Sequence, residues 1–327
     1  MENMKTKKTT HKAINWNAPS TQFYDDIYRK QTQQFWLPEE IPVSDDKSEW
    51  ETLEPVYKEA YEKILAGLTL LDTEQTCGIA NIGEKSGNLF DDSVCKLFAG
   101  FETIHARSYS TIFQTLCTNE RIDELFAWVE ENRPLQTKVS TIVERYDNIS
   151  DRESFYLALI ASLCLEGICF YSGFFLPLWL SGQGKMVNSG EIINLILRDE
   201  ILHTVFVGYL AQQVIKEFDE KTQKRMNVIA LAIIAETYKN ELEYSKEIYK
   251  DTELYKEVET YIQYNVDYAC KCANLPEIFG IAEEDVNPIV MNGYSTETKH
   301  NDVFSTKGNG YVKAVNVEQF QDEDFIF

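Results

Sequence analysis

From Glu51 to Lys271 the apolar residues recur mostly at intervals of three and four, glycine and proline are sparse, and no Asn-Gly or Asp-Gly turn separates alternating runs. That spacing gathers apolar side chains on one stripe of an α-helix, so the chain is expected to be all-α, a helical bundle. Helices are expected at about 53–76, 90–117, 121–131, 135–147, 151–180, 187–216, 220–249 and 254–274. Proline and glycine in "NRPLQ" and "LSGQGKMVNSG" supply stops between them. No internal repeat of fixed period is evident.

One stretch, "SFYLALIASLCLEGICFYSGFFLPLWLSG", is apolar for longer than a bilayer requires. Glu166 sits in its middle and no Lys/Arg cluster flanks it, so a core helix of a large soluble bundle is expected rather than a membrane span. Formal net charge is -22, from 53 acidic and 31 basic residues, a field that repels phosphate backbones and anionic headgroups and argues against direct nucleic-acid or membrane binding. The 7 cysteines are odd in number and form no C-x-x-C pair, which suits a reducing cytoplasm better than a disulfide framework or zinc ribbon. The opening "MENMKTKKTTHKAINW" is basic without an apolar stretch of signal-peptide length, so a cytoplasmic protein is expected.

After about residue 292 the helical period stops. The segment 292–327 is rich in Gly, Ser, Thr, Asn and Lys and ends "EQFQDEDFIF", acids mixed with apolar groups, so residues 1–291 are read as the helical domain and 292–327 as a flexible tail suited to docking on a partner.

Within the helical stretch Glu-x-x-His occurs twice, once in "FETIHARSYS" and once in "RDEILH", using two of the 4 histidines. Residues three, four or seven apart share a helical face, so Glu102, His105 and Tyr109 project together, as do Glu200 and His203. Asp72 in "LTLLDT" and Glu166 in "SLCLEGICF" are further carboxylates within apolar helices. A buried carboxylate requires a cation, a hydrogen-bond network or a metal, and one shared site satisfies all of them. Four carboxylates and two imidazoles on four helices match the donor set of a di-iron or dimanganese centre: Asp72, Glu102, His105, Glu166, Glu200 and His203. Tyr109, one turn beyond His105, is then placed to lose an electron and a proton to an oxidised metal pair. A phenoxyl radical lasts only in a dry pocket. Phe170 and Phe174, four and eight residues after Glu166, and Ile196, one turn before Glu200, are the candidate pocket residues; they would also serve as ordinary core.

"LTLLDT", "FETIHARSYS", "LEGICFYSGFF" and "EIINLILRDEILH" together resemble the small, radical-generating subunit of class I ribonucleotide reductase, most closely its class Ib branch. "AINWN", "QFWLPEEIPVSDD" and the tail "GNGYVKAVNVEQFQDEDFIF" extend the likeness over nearly the whole chain. The resemblance implies a ferritin-like helical bundle with a dimetal-carboxylate centre. It implies that metal 1 takes Asp72, Glu102 and His105, that metal 2 takes Glu166, Glu200 and His203, and that Glu102 bridges them. It implies a radical on Tyr109, relayed outward through Trp36, Asp199 and the tail's Tyr311. The implied partners are a second copy of the chain, a large (alpha) subunit that docks the tail and reduces the ribonucleotide, and a flavodoxin-like activating protein; the implied cofactor is two manganese or two iron ions per chain. One local departure is Gly167 after Glu166, where relatives commonly place a small hydroxylic residue. Two other readings stay open at this point: a ferritin-like metal-storage protein with Tyr109 merely packed, and a dimetal oxidase acting on a lipid or hydrocarbon.

Overall fold

The computed structural model describes residues 13–19 and 21–291, and among them all regular structure is helical. Twelve α-helices follow in order: α1 (Gln22–Gln33), α2 (Lys47–Thr52), α3 (Pro55–Ser86), α4 (Leu89–Leu116), α5 (Asn119–Glu131), α6 (Arg133–Asp147), α7 (Arg152–Cys164), α8 (Tyr171–Ser181), α9 (Val187–Ile215), α10 (Glu220–Tyr249), α11 (Tyr255–Cys272) and α12 (Pro288–Met291). The eight expected helices are all present; the short α2 and α12 lie outside the expected ranges, and three further differences stand out. The helix expected to end near residue 76 runs on to Ser86, because Gly78 and Gly83 admit the Tyr146 ring and the Cys95 side chain at helix crossings rather than breaking the helix. The helix α1 was not anticipated, since only Tyr24, Ile27 and Gln31 of its 12 residues are buried, too thin a stripe to stand out. The expected helix at about 151–180 is interrupted by a π-helical turn at Leu165–Cys169.

Local chemistry sets most of the helix ends. Pro55 opens α3 and Gly87, at φ 78°, closes it. The side chain of Asn88 accepts from the Phe90 N–H to cap α4 at 2.9 Å, and Asn132 does the same for α6 through Leu135 N–H at 2.9 Å. Asp151 and Ser154 cap α7 reciprocally, and Asp219 caps α10.

The centre of the bundle is the segment from α7 through α8, around which α3, α6, α9, α10 and α11 pack. The apolar window within Arg152–Ser181 is wholly buried by the rest of the protein, as a core helix is expected to be. Wrapping the segment in protein on every side removes the selection for an amphipathic stripe, which is why it reads as continuous apolar sequence.

The helix α9 has no cap of its own. Met186 stands before it at φ 51°, and none of its side-chain atoms bonds the exposed N–H groups. The cap arrives from far along the chain. Asp46, 1% exposed, accepts from Asn188 N and Nδ2 at 3.1 and 2.9 Å and from Ser189 N and Oγ at 2.7 Å each, while Glu49 accepts from Met186 N at 2.6 Å. Negative charge at a helix N-terminus is favourable, and these carboxylates fix where α9 begins. Asp46→Ala is expected to cost about 2 kcal/mol, read from the denaturant midpoint, with Asp46→Asn recovering about half of it; a midpoint unmoved by the alanine would show that α9 is held elsewhere.

Candidate metal centre

Four elements carry the cluster: α3 brings Asp72, α4 brings Glu102, His105 and Tyr109, the π turn brings Glu166, and α9 brings Asp199, Glu200 and His203. Asp72, Glu102, His105, Glu166, Glu200 and His203 are each 0% exposed. Their donor atoms fall into two groups, Asp72, Glu102, His105 and Glu200 in one, and Glu102, Glu166, Glu200 and His203 in the other, with the atoms of each group within 4.8 Å of one another. Glu102 is common to both. Glu200 is also common to both, which spacing along α9 could not reveal.

These groups are short of partners in a way that fits a pair of cations. Both oxygens of Asp72, both of Glu102, one of Glu166 and one of Glu200 are buried without a hydrogen bond, as is Nδ1 of His105. Nδ1 of His105 lies 2.8 Å from Glu200 Oε1 and 3.4 Å from oxygens of Asp72 and Glu102; Nδ1 of His203 lies 2.8 Å from Glu102 Oε1 and 3.1 Å from Glu200 Oε2. Electron-rich atoms thus face one another across short gaps. Among the described residues no lysine or arginine pairs with any of the four carboxylates, whose total charge two divalent ions would balance.

The imidazole tautomer fits the same role. His105 Nε2 stands 3.2 Å from Asp199 Oδ2, and with the Nε2 proton given to that carboxylate the Nδ1 lone pair is free for a cation once its own proton is displaced. Asp199 is itself a hub, accepting from Trp36 Nε1 at 2.8 Å, Gln34 Nε2 at 2.6 Å and Gln31 Nε2 at 3.2 Å. Trp36, Asp199 and His105 therefore form one bonded line, with the indole and imidazole planes 19° apart. His203 has a different backing. Its ring lies 4.0 Å from that of Phe98, and its Nε2 has no hydrogen bond.

Gln75, one turn after Asp72 and fully buried, was not singled out from sequence. Its Nε2 donates to Glu166 Oε1 and, at 3.0 Å, to Ser162 Oγ, while its Oε1 accepts from Tyr146 Oη at 2.6 Å. A buried amide three residues from a candidate ligand on an apolar helix was the available signal. Gly167 answers to packing: a Cβ there would stand 3.0 Å from the Ala269 Cβ and 3.1 Å from Thr204 Cγ2, so α9 and α11 close on this position and the nearest hydroxyl is that of Thr204.

Tyr109 is 0% exposed and its hydroxyl makes no well-formed hydrogen bond. Burial, then the negative charge of Asp72, Glu200 and Glu102, pushes its pKa well above the ordinary phenol value, so the phenol stays protonated. Phe170, Phe174 and Ile196 are fully buried, with the two phenyl rings stacked at 5.8 Å and 17°. Tyr311 lies outside the described residues.

A ferritin-like helical bundle whose buried carboxylates and imidazoles fit a dimetal site is the class of protein that fold and cluster define. A family model described as "Ribonucleotide reductase, small chain" matches residues 13–288. Proteins called ribonucleoside-diphosphate reductase subunit beta are similar along almost the whole chain: that of Bacillus phage SPbeta is 46% identical over 319 residues and that of Bacillus subtilis (strain 168) 43%, each alignment covering 96% of both chains. Among solved structures, the dimanganese(II)-NrdF of Streptococcus sanguinis matches with a TM-score of 0.83 at 38% identity, over 88% of this chain and 100% of that one. The chain belongs to the ribonucleotide reductase small-chain family, a subunit of a ribonucleoside-diphosphate reductase. Within class I small subunits it falls in the class Ib branch.

Without metal, protons take the place of cations. Burial, reinforced by the neighbouring carboxylates, holds Asp72 and Glu166 well above the usual carboxyl range. Burial opposes charging the imidazoles, yet the surrounding carboxylates overcome it and hold His105 and His203 well above the ordinary value. For an acid or an imidazole whose pKa folding raises, the folded chain binds more protons than the unfolded one, so stability falls as pH rises above the unfolded value, about 4 for carboxyls and about 6.5 for imidazole. The thermal midpoint of metal-free protein is therefore expected to fall between about pH 5 and about pH 8, while saturating Mn(II), which must displace these protons, raises it more at the higher pH. Scanning calorimetry at both pH values checks this, and a metal-induced gain independent of pH would contradict it.

Proposed function

We propose that this chain generates and stores a radical on Tyr109 and passes it to a large subunit that reduces ribonucleotides to deoxyribonucleotides. The observation that carries this reading is a fully buried phenol, its hydroxyl making no well-formed hydrogen bond, set against the Asp72 carboxylate at the edge of the donor cluster. Asp72, Glu102 and His105 would hold one ion and Glu166, Glu200 and His203 the other, Glu102 and Glu200 being common to both groups of donors. Two manganese or two iron ions per chain suit this oxygen and nitrogen donor set. When bound, the pair supplies the one-electron oxidising equivalent.

The remaining work falls to the chain itself. Because its pKa is raised, Tyr109 gives up its electron and its Oη proton together, and Asp72 is the group placed to receive that proton. Phe170, Phe174 and Ile196 keep water and hydrogen donors from the phenoxyl oxygen. The line from His105 through Asp199 to Trp36 offers the outward path, in which the Asp199 carboxylate holds the protons of His105 Nε2 and Trp36 Nε1. Tyr311 continues the relay, and the tail 292–327 docks on the large subunit. The working form is a homodimer in the cytoplasm, where the free cysteines stay reduced, activated with manganese by a flavodoxin-like protein or with iron by oxygen.

Electron paramagnetic resonance tests this. After reconstitution, Tyr109→Phe is expected to lose the organic radical signal completely while retaining two metals per chain; an unchanged signal rejects the assignment. Deleting the last residues of the tail is expected to leave the radical intact and to abolish reductase activity with a large subunit. Reductase activity that survives the deletion rejects the docking role of the tail; a parent that forms no active reductase with a large subunit favours a dimetal oxidase, and uptake of many ions per chain favours metal storage.

A further inference from the structure

Glu166 differs from the other cluster residues in what supports it. Asp72, Glu102, His105, Glu200 and His203 stand on regular α-helices, whereas Glu166 stands on the π turn. Such a turn inserts one residue, displaces a carbonyl from its regular partner and persists where its surroundings hold it. Here the carbonyl is that of Cys169. Gly173, whose N–H would serve Cys169 in an unbroken α-helix, donates to the Phe170 carbonyl at 2.9 Å. The Cys169 carbonyl accepts instead from Lys138 Nζ of α6 at 2.8 Å.

Lys138 is 2% exposed, and its ammonium is matched at 2.6 Å by the fully buried Glu241 of α10. The same Nζ lies 4.3 Å over the ring of Tyr244. Just beyond, Tyr249 of α10 donates its hydroxyl to the Ser172 carbonyl at 2.5 Å. A buried ion pair is weak as a source of stability, since apolar residues of similar size commonly do as well. Its aim at a carbonyl that the π turn displaces indicates a different role.

We infer that Lys138, charge-balanced by Glu241 and assisted by Tyr249, is a positioning residue for Glu166, holding the π turn so that this carboxylate reaches the second ion. The inference rests on the dimetal reading above. Without the clamp the inserted residue is expected to be absorbed into regular helix, turning Glu166 by about 100° relative to the residues that follow it.

Mn(II) titration of metal-free, full-length protein, followed by electron paramagnetic resonance, tests the clamp. The double variant Lys138→Met/Glu241→Leu removes both charges at once and leaves neither orphaned. It is expected to bind the first ion with parental affinity and the second about tenfold more weakly, with loss of the coupled-pair spectrum at ratios where the parent shows it. A general loosening of the bundle weakens both ions alike, so equal weakening, or parental affinity for both, overturns the inference. Should the double variant fail to fold, Tyr249→Phe decides: it removes one hydroxyl and is expected to weaken only the second ion, about threefold, and unchanged binding overturns the inference. A parent that binds two ions beside variants that do the same sinks the clamp alone; a parent that binds fewer than two sinks the dimetal reading with it.

Discussion

Four carboxylates brought into one dry volume cannot all stay ionised unless positive charge joins them. This requirement governs the arrangement around Asp72, Glu102, Glu166 and Glu200. Neither a lysine nor an arginine supplies the charge among the described residues, and His105 and His203 face the carboxylates through Nδ1, one of them with its other nitrogen tied to Asp199. The cluster is therefore polar inside and apolar outside, and the helices that carry it must be braced from beyond it. Gln75 joins α3 to the π turn, Asp46 and Glu49 set the start of α9, and Asn88 sets the start of α4.

The two ends of the cluster are built differently. At the His105 end, polar side chains continue outward through Asp199 to Trp36, Gln34 and Gln31, and Arg198 adds a bond to the Gln34 carbonyl at 2.8 Å. At the His203 end, Phe98 and then Phe206 close the interior with rings. Hydrogen-bonded side chains lead away from the cluster in one direction, and aromatic rings close it in the other. The segment from Gln34 to Asp46 lies along α9 and is pinned at both ends, by Asp199 and Arg198 at one and by Asn188 and Ser189 at the other. One stretch of chain thus both caps the helix that bears Glu200 and His203 and supplies the outer members of the line to His105.

Much of this was legible because it is local. Separations of three and four between Glu102 and His105, or Glu200 and His203, decide which side chains share a face whatever the rest of the chain does. The run of apolar residues from α7 to α8 announced a helix buried on all sides, and the lone Glu166 within it announced a reason for burial. What stayed hidden was either thinly patterned or non-local. The helix α1 buries too few residues to show a period, and the π turn changes the hydrogen-bond register without changing the hydrophobicity of Leu165–Cys169. Gln75 was available as a buried amide near Asp72 but is informative only once its partners, Glu166 and Tyr146, are known.

By itself the sequence determined an all-α chain, the six carboxylate and imidazole side chains that the structure brings together, the phenol near them and, through its resemblance, the family. Only the tertiary structure decided that Glu200 stands between both groups of donors, that Asp46 caps α9 from 143 residues away, and that Lys138 serves a carbonyl 31 residues along the chain. The physical reason is that helical geometry acts over one or two turns, and so is written in spacing, whereas which helices meet, and at what register, follows from packing the whole interior at once.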